Sequence, residues 1–164
     1  MAVFSAFPIP SLMTDEISDK MRLPCRSRCK LTFGRESIIT CELLMADLLG
    51  TALDDVLDGT SNSDRIFGFE GNDRIFAQNG SDTIDAGIGD DYIVGEAGDD
   101  VILASSGTDF IDGRDGNDTL AAGEGNDEIQ GGEDNDILFG NLGNDLLMGG
   151  VGNDTIAAGA DNDR

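Results

Sequence analysis

Residues 113–121 read GRDGNDTLA and residues 149–157 read GGVGNDTIA, two copies of one nine-residue pattern lying thirty-six residues apart. Working outward from them, the chain divides from Gly50 to its last residue into consecutive nonads without insertion or deletion. Twelve are complete, and a thirteenth begins at Ala158 and runs for seven residues. The sixth position is Asp in all thirteen, from Asp55 to Asp163, and the eighth is Ile or Leu in all twelve complete copies. The first position is always Gly or Ala, and the fourth is Gly in nine of thirteen. A short period held this strictly is the signature of a solenoid, in which each repeat is one structural unit stacked on its neighbours.

Each fixed position has a physical reading. Gly at the first and fourth positions is expected to supply backbone angles, often with positive φ, that side chains resist. The resulting tight turn leaves carbonyl groups free to converge. Asp at the sixth position adds a carboxylate to the turn. Mixed carboxylate and carbonyl oxygens, six to eight in number, are the ligand set of a hard cation such as calcium. The last three residues read as a short strand whose middle aliphatic residue points inward while its neighbours point outward.

Composition supports a metal-dependent reading. Residues 1–49 hold six acidic and six basic residues, so the whole formal charge of −23 falls on residues 50–164. Such an excess excludes the basic surface that nucleic-acid binding requires. It opposes compaction unless cations are bound. One aliphatic core residue per nine is also little apolar surface with which to offset backbone ordering. The chain is therefore expected to be largely unfolded without calcium and to fold cooperatively with it, binding free energy becoming folding free energy. Catalysis is not expected. Without histidine there is no zinc-protease helix motif and no Ser-His-Asp triad. No GxSxG elbow, P-loop or EF-hand loop occurs. No apolar run is long enough to form a membrane-spanning helix. Cys25 and Cys29 form a C-x3-C pair with one further cysteine, Cys41, which is a weak zinc pattern, and the three read as free or incidental thiols.

The nonads at residues 68–76 (GFEGNDRIF), 95–103 (GEAGDDVIL), 113–121 and 149–157 resemble the RTX (repeats-in-toxin) calcium-binding pattern G-G-x-G-x-D-x-U-x. The resemblance implies an all-β fold, a right-handed parallel β-roll with two nonads per coil and calcium between equivalent loops of successive coils. The carboxylates it would place on calcium are Asp73, Asp82, Asp91, Asp100, Asp109, Asp118, Asp127, Asp136, Asp145 and Asp154. The turn carbonyls it would add are those of Gly71, Gly80, Gly89, Gly98, Gly107, Gly116, Gly125, Gly143 and Gly152. Two stacked columns of loops imply several calcium ions, fewer than eleven. Leu53 and Asn62 replace Gly in the first two nonads, which are expected to be poor sites, and Asp134 is expected to disturb one nearby.

The same resemblance implies an extracellular protein exported by type I secretion, in keeping with the lack of a recognisable signal peptide. Ending within a nonad at Arg164, the chain reads as a fragment or truncated product. Two functional readings follow: a calcium-dependent structural module of a secreted protein, or the repeat region of a secreted protease, lipase or hemolysin whose active domain lies elsewhere. Residues 1–49 form a separate segment, expected to cap the first coil through its apolar 37–49 stretch or to be disordered. On the outward strand positions, Phe76, Tyr92, Val94 and Phe110 fall on consecutive coils. They read as scattered surface apolars under a flanking segment or, alternatively, as a surface for a partner domain or self-association. An ice-binding Thr ladder is not expected, because Thr83, Thr119 and Thr155 occupy only alternate coils.

Overall fold

A computed structural model describes residues 47–164. The cysteines and all but the last three residues of the 37–49 stretch lie outside the described residues. Two parallel sheets face each other. One holds seven strands in the order β1 (Asp47–Leu49), β3 (Arg65–Glu70), β5 (Thr83–Ile88), β7 (Val101–Ser106), β9 (Thr119–Glu124), β11 (Ile137–Leu142) and β13 (Thr155–Ala160). The other holds β2 (Val56–Asp58), β4 (Arg74–Phe76), β6 (Tyr92–Ala97), β8 (Phe110–Asp115), β10 (Glu128–Glu133) and β12 (Leu146–Val151). Consecutive strands alternate between sheets, and no helix occurs among the described residues.

The register advances by two nonads at every pairing: Ile66 lies over Ile84, Ile84 over Ile102 and Ile102 over Leu120, all in parallel. The sequence period is thus the geometry of the coil. The chain makes a solenoid of about six turns. Among the described residues the first pairing is at Asp47, with Leu48 aligned on Ile66, three residues before the boundary the nonad count suggests.

Most strands are six residues long rather than three, running from position seven through the next nonad's position three. Side chains alternate along them, so positions eight and one both point inward. Ile75, Ile84, Ile93, Ile102, Ile111, Leu120, Ile129 and Leu138 are fully buried, as are Ala77, Ala86, Ala104 and Ala122 at position one. The restriction of position one to Gly or Ala is a matter of space between the sheets. It is not one of backbone angle, because no position-one glycine among the described residues has positive φ. Position two is the one that turns left-handed, at Phe69, Gln78, Glu96, Ser105, Arg114 and Asn141 as well as at glycines. Position four does so as expected, for example at Gly98 with φ +133°. Asp134 adopts φ +77°, so it keeps the backbone turn there.

Among the described residues the aliphatic column is fully buried in its middle and less so towards either end: Leu57 is partly buried and Ile156 is 47% exposed. The expectation of twelve buried aliphatics therefore holds for the interior coils only. Ile156 has no later coil above it among the described residues.

Outside the coil, Phe76, Tyr92 and Phe110 form a ladder on one another. The Tyr92 and Phe110 rings stack at 4.9 Å, and Arg74 lies over the Tyr92 ring at 5.1 Å. Val94, expected at the surface, is 1% exposed, in register between Phe76 and Asp112. The rings satisfy each other's faces, and all three are half-buried. More open apolar side chains, Val101, Leu103, Ile137 and Phe139, lie on the opposite, seven-stranded sheet.

Candidate metal centre

The sixth-position aspartates stack in two columns, one beside each turn. From Asp73 onward, each carboxylate reaches back to the preceding coil, where its Oδ1 accepts the backbone N–H of the equivalent Asp. Asp73 N–H donates to Asp91 at 2.8 Å, Asp82 to Asp100 at 2.8 Å, Asp91 to Asp109 at 2.8 Å and Asp100 to Asp118 at 2.8 Å. The ladder continues to Asp127, Asp136, Asp145 and Asp154. These bonds engage one oxygen of each of these carboxylates and leave the second to other partners.

That second oxygen is the feature of interest. In Asp73, Asp82, Asp91, Asp100, Asp109, Asp118, Asp127, Asp136 and Asp145, Oδ2 is buried and has no hydrogen-bond partner. An orphaned buried acceptor costs about 1–3 kcal/mol, more when charged, so nine of them require compensation. The space beside Oδ2 is kept open in several nonads by the glycine at position one. A methyl group built on Gly95, Gly113 or Gly131 would collide with the carboxylate of Asp100, Asp118 or Asp136. Protonation is one way to relieve such a group, and the carboxyls are pushed in that direction. Asp100 and Asp109 are raised to about 7, chiefly by burial and in lesser part by neighbouring carboxylates of the column, against the lowering effect of the Asp82 and Asp91 N–H bonds. Asp82, Asp91 and Asp118 are raised to about 6, chiefly by burial. Asp73, Asp127 and Asp136 shift in the same direction for the same reason.

A divalent cation is the other way. No three acidic, His or Cys side chains converge on one point among the described residues, so an ion would rely on carboxylate and backbone oxygen together. The fourth-position glycines fit that demand. The carbonyl oxygens of Gly71, Gly80, Gly89, Gly98, Gly107 and Gly125 each lie against the Cα of the next glycine in their column, where only a residue without Cβ leaves room. The Oδ1 atoms of Asp109 and Asp127 border the same places, 3.1 and 2.9 Å from methyl groups built on Gly107 and Gly125. Gly116 and Gly143 instead have Asp134 and Asp161 above them, both left-handed like the glycines they replace. Gly152 sits on the carbonyl of Asp134.

Two groups of sixth-position residues behave differently: Asp154, predicted as a ligand, and Asp55 and Asp64, in nonads expected to be poor sites. Asp154 accepts from Asp136 N–H at 3.1 Å but is only half-buried, so it lacks the enclosed second oxygen of the other nine. In the first two nonads the second oxygen is already used: Thr51 N–H donates to Asp55 Oδ2 at 2.6 Å, and Thr60 N–H to Asp64 Oδ2 at 2.6 Å. There the local chain, not a cation, completes the carboxylate.

A second ladder was not anticipated. The fifth-position side chains accept backbone N–H bonds from the following coil, opposite in direction to the Asp ladder. Asn72 N–H donates to Asp54 at 2.8 Å, Thr108 to Asp90 at 2.8 Å and Asn117 to Asp99 at 2.9 Å. From Asn117 on one edge and Asn126 on the other, the side-chain amides also bond to each other, as Asn135 does to Asn117 at 3.1 Å and Asn144 to Asn126 at 2.9 Å. The signal was present, since the fifth position is Asp, Asn, Ser or Thr in all thirteen nonads.

Comparison with curated proteins gives no match. Comparison with protein-family profiles matches the RTX calcium-binding nonapeptide repeat, taken four copies at a time, at residues 49–84, 76–111, 85–120, 112–147 and 139–164. These windows cover the stacked carboxylates, the small inward positions and the left-handed turns from end to end of the solenoid, and the chain belongs to the RTX calcium-binding nonapeptide repeat family.

Proposed function

We propose that this chain binds several calcium ions along its two carboxylate columns and that calcium drives the folding of the solenoid. The observation that carries the proposal is the set of nine buried Oδ2 atoms without partners, each held in place by an N–H bond to its other oxygen. Calcium would be held by Asp73, Asp82, Asp91, Asp100, Asp109, Asp118, Asp127, Asp136 and Asp145, with help from fourth-position carbonyls such as those of Gly80, Gly89, Gly98 and Gly107. When bound, it supplies positive charge and crosslinks successive coils. The chain's own residues fix the carboxylates, exclude water from their inner oxygens and keep the turns open. The first two nonads and the half-buried Asp154 contribute least.

The reading is of a structural module, because the site is repeated, internal and built to satisfy ions rather than to admit a reacting molecule. It further places the protein outside the cell, where calcium is abundant enough to fold it. Isothermal titration calorimetry tests the binding. Saturable uptake of several ions, reduced when Asp91, Asp109 and Asp127 are together replaced by Ala, is expected. Absence of saturable calcium binding by the unaltered chain overturns the proposal.

A further inference from the structure

The chain contains a single Asn-Gly dipeptide, Asn79-Gly80; every other asparagine is followed by Asp, Ser or Leu. Asparagine before glycine is the pair most open to intramolecular attack, because glycine places no Cβ beside its own nitrogen and leaves the backbone free to reach the required conformation. In the reaction the Gly80 nitrogen, having lost its proton, attacks Asn79 Cγ. A C–N bond forms, the Cγ–Nδ2 bond breaks, and the amide leaves as ammonia. Water then opens the cyclic imide at either carbonyl, giving aspartate or isoaspartate at position 79.

The folded solenoid opposes each part of this. Gly80 N–H donates to Ala97 O at 2.8 Å, so the nucleophile is engaged and its proton held. Asn79 pairs with Ala97 across the same parallel bridge. Gly80 is fixed at φ +131°, with backbone atoms of Asn62 and Ser63 2.6 and 2.7 Å from where its Cβ would be, while its carbonyl lies against Gly98 on the other side. The side chain of Asn79 is exposed, yet the main chain it must react with cannot rotate.

We propose that Asn79 is a deamidation site of the unfolded chain that the folded roll shuts off, so that time spent without calcium is recorded as deamidation at that position. The damage matters because isoaspartate inserts an extra methylene into the main chain of a nonad. The coil then no longer matches its neighbours, and Gly80 has no free space on either side into which to shift. Asp82, two residues on, loses its place in the carboxylate column. The aspartate product leaves the backbone length unchanged and is tolerated.

The inference rests on calcium-driven folding, and the test separates the two. The full chain is incubated at mildly alkaline pH in three solutions: calcium, EDTA, and calcium with denaturing urea. The tryptic peptide spanning residues 75–114 is followed by mass spectrometry, and far-UV circular dichroism reports folding in each arm. Deamidation in calcium is expected to be about tenfold or more slower than in the other two arms, since reaction proceeds only from opened molecules. Equal rates in calcium and in urea overturn the proposal. A chain that stays folded in EDTA contradicts calcium-driven folding, while the calcium and urea arms still decide protection. Chains carrying isoaspartate at 79 are expected to fail to refold on calcium addition, whereas Asn79→Asp refolds normally. Refolding of the isoaspartate form at an unchanged calcium midpoint also overturns it.

Discussion

Asp100→Asn changes the calcium-free and calcium-bound states in opposite directions. The substitution keeps the shape of the side chain and the oxygen that accepts the Asp82 N–H at 2.8 Å, but exchanges the orphaned Oδ2 for an uncharged NH₂. In the calcium-free roll this removes a buried charge that is raised from 3.8 to about 7 by burial and by Asp118, Asp82 and Asp99. Taken whole, such a shift is worth about 4 kcal/mol near neutral pH. Solvent screening at the turn and proton sharing along the column reduce it to about 1–2 kcal/mol. In the calcium-bound roll the same substitution deletes an anionic ligand, and the calcium needed for half-folding should rise by about three- to tenfold. Two titrations read the two effects by far-UV circular dichroism. In EDTA, folding is driven by trimethylamine N-oxide, which favours burial without binding the site; D100N should fold at lower osmolyte concentration than the unaltered chain. In calcium, it should fold at higher calcium concentration. A D100N chain that is harder to fold in both titrations, or whose calcium midpoint is unchanged, refutes the assignment of Oδ2 as a cation ligand.

Without calcium, acid should favour the roll. The aspartates are raised in the folded state to about 6–7, so folded molecules bind more protons than unfolded ones over that range. The resulting stabilisation is complete below the ordinary carboxylate value and is lost as pH rises through about 6–7. Circular dichroism in EDTA should therefore show more β-structure at pH about 5 than at pH about 8, and the reverse order would contradict the burial of these groups. Ser105 holds φ +83°, and Ser105→Gly should raise stability by about 0.5–1 kcal/mol, the relief of the left-handed conformation outweighing the added freedom of the unfolded chain. Urea denaturation in calcium measures it; no gain would mean that the position-two turn is unstrained. Ile102, fully buried at mid-stack, should cost about 2–5 kcal/mol on replacement by Ala, whereas replacing the 47% exposed Ile156 by Ala in this chain should cost less than about 1 kcal/mol. Equal costs in the same denaturation assay would show that the stack is not built as described.

Much of the architecture could be read from the nonad register, because in a solenoid the sequence period and the coil are the same quantity. The column of Ile and Leu at position eight and the column of Asp at position six follow directly. What stayed hidden is conformation imposed by neighbours. Phe69, Gln78, Glu96 and Arg114 are left-handed although none is a residue that seeks such angles. They are held there by pairing with the coils above and below, as Glu96 is with Arg114. Position one was read as a turn glycine because glycine suggests freedom, yet Ala86 and Ala104 show that its constraint is volume. The fifth-position ladder was visible in composition but not in function, since Asp, Asn, Ser and Thr are also ordinary loop residues. The outward face was misjudged at Val94, whose burial comes from the side chains flanking it in register.

The most direct test of the central claim is a calcium titration of the full chain followed by far-UV circular dichroism and then reversed with EDTA. Orphaned carboxylates that need a cation predict a parallel-β spectrum that appears cooperatively with calcium, disappears on chelation and is not produced by the same concentration of magnesium, which accommodates irregular oxygen sites poorly. A β-spectrum of undiminished amplitude in EDTA at neutral pH would contradict it.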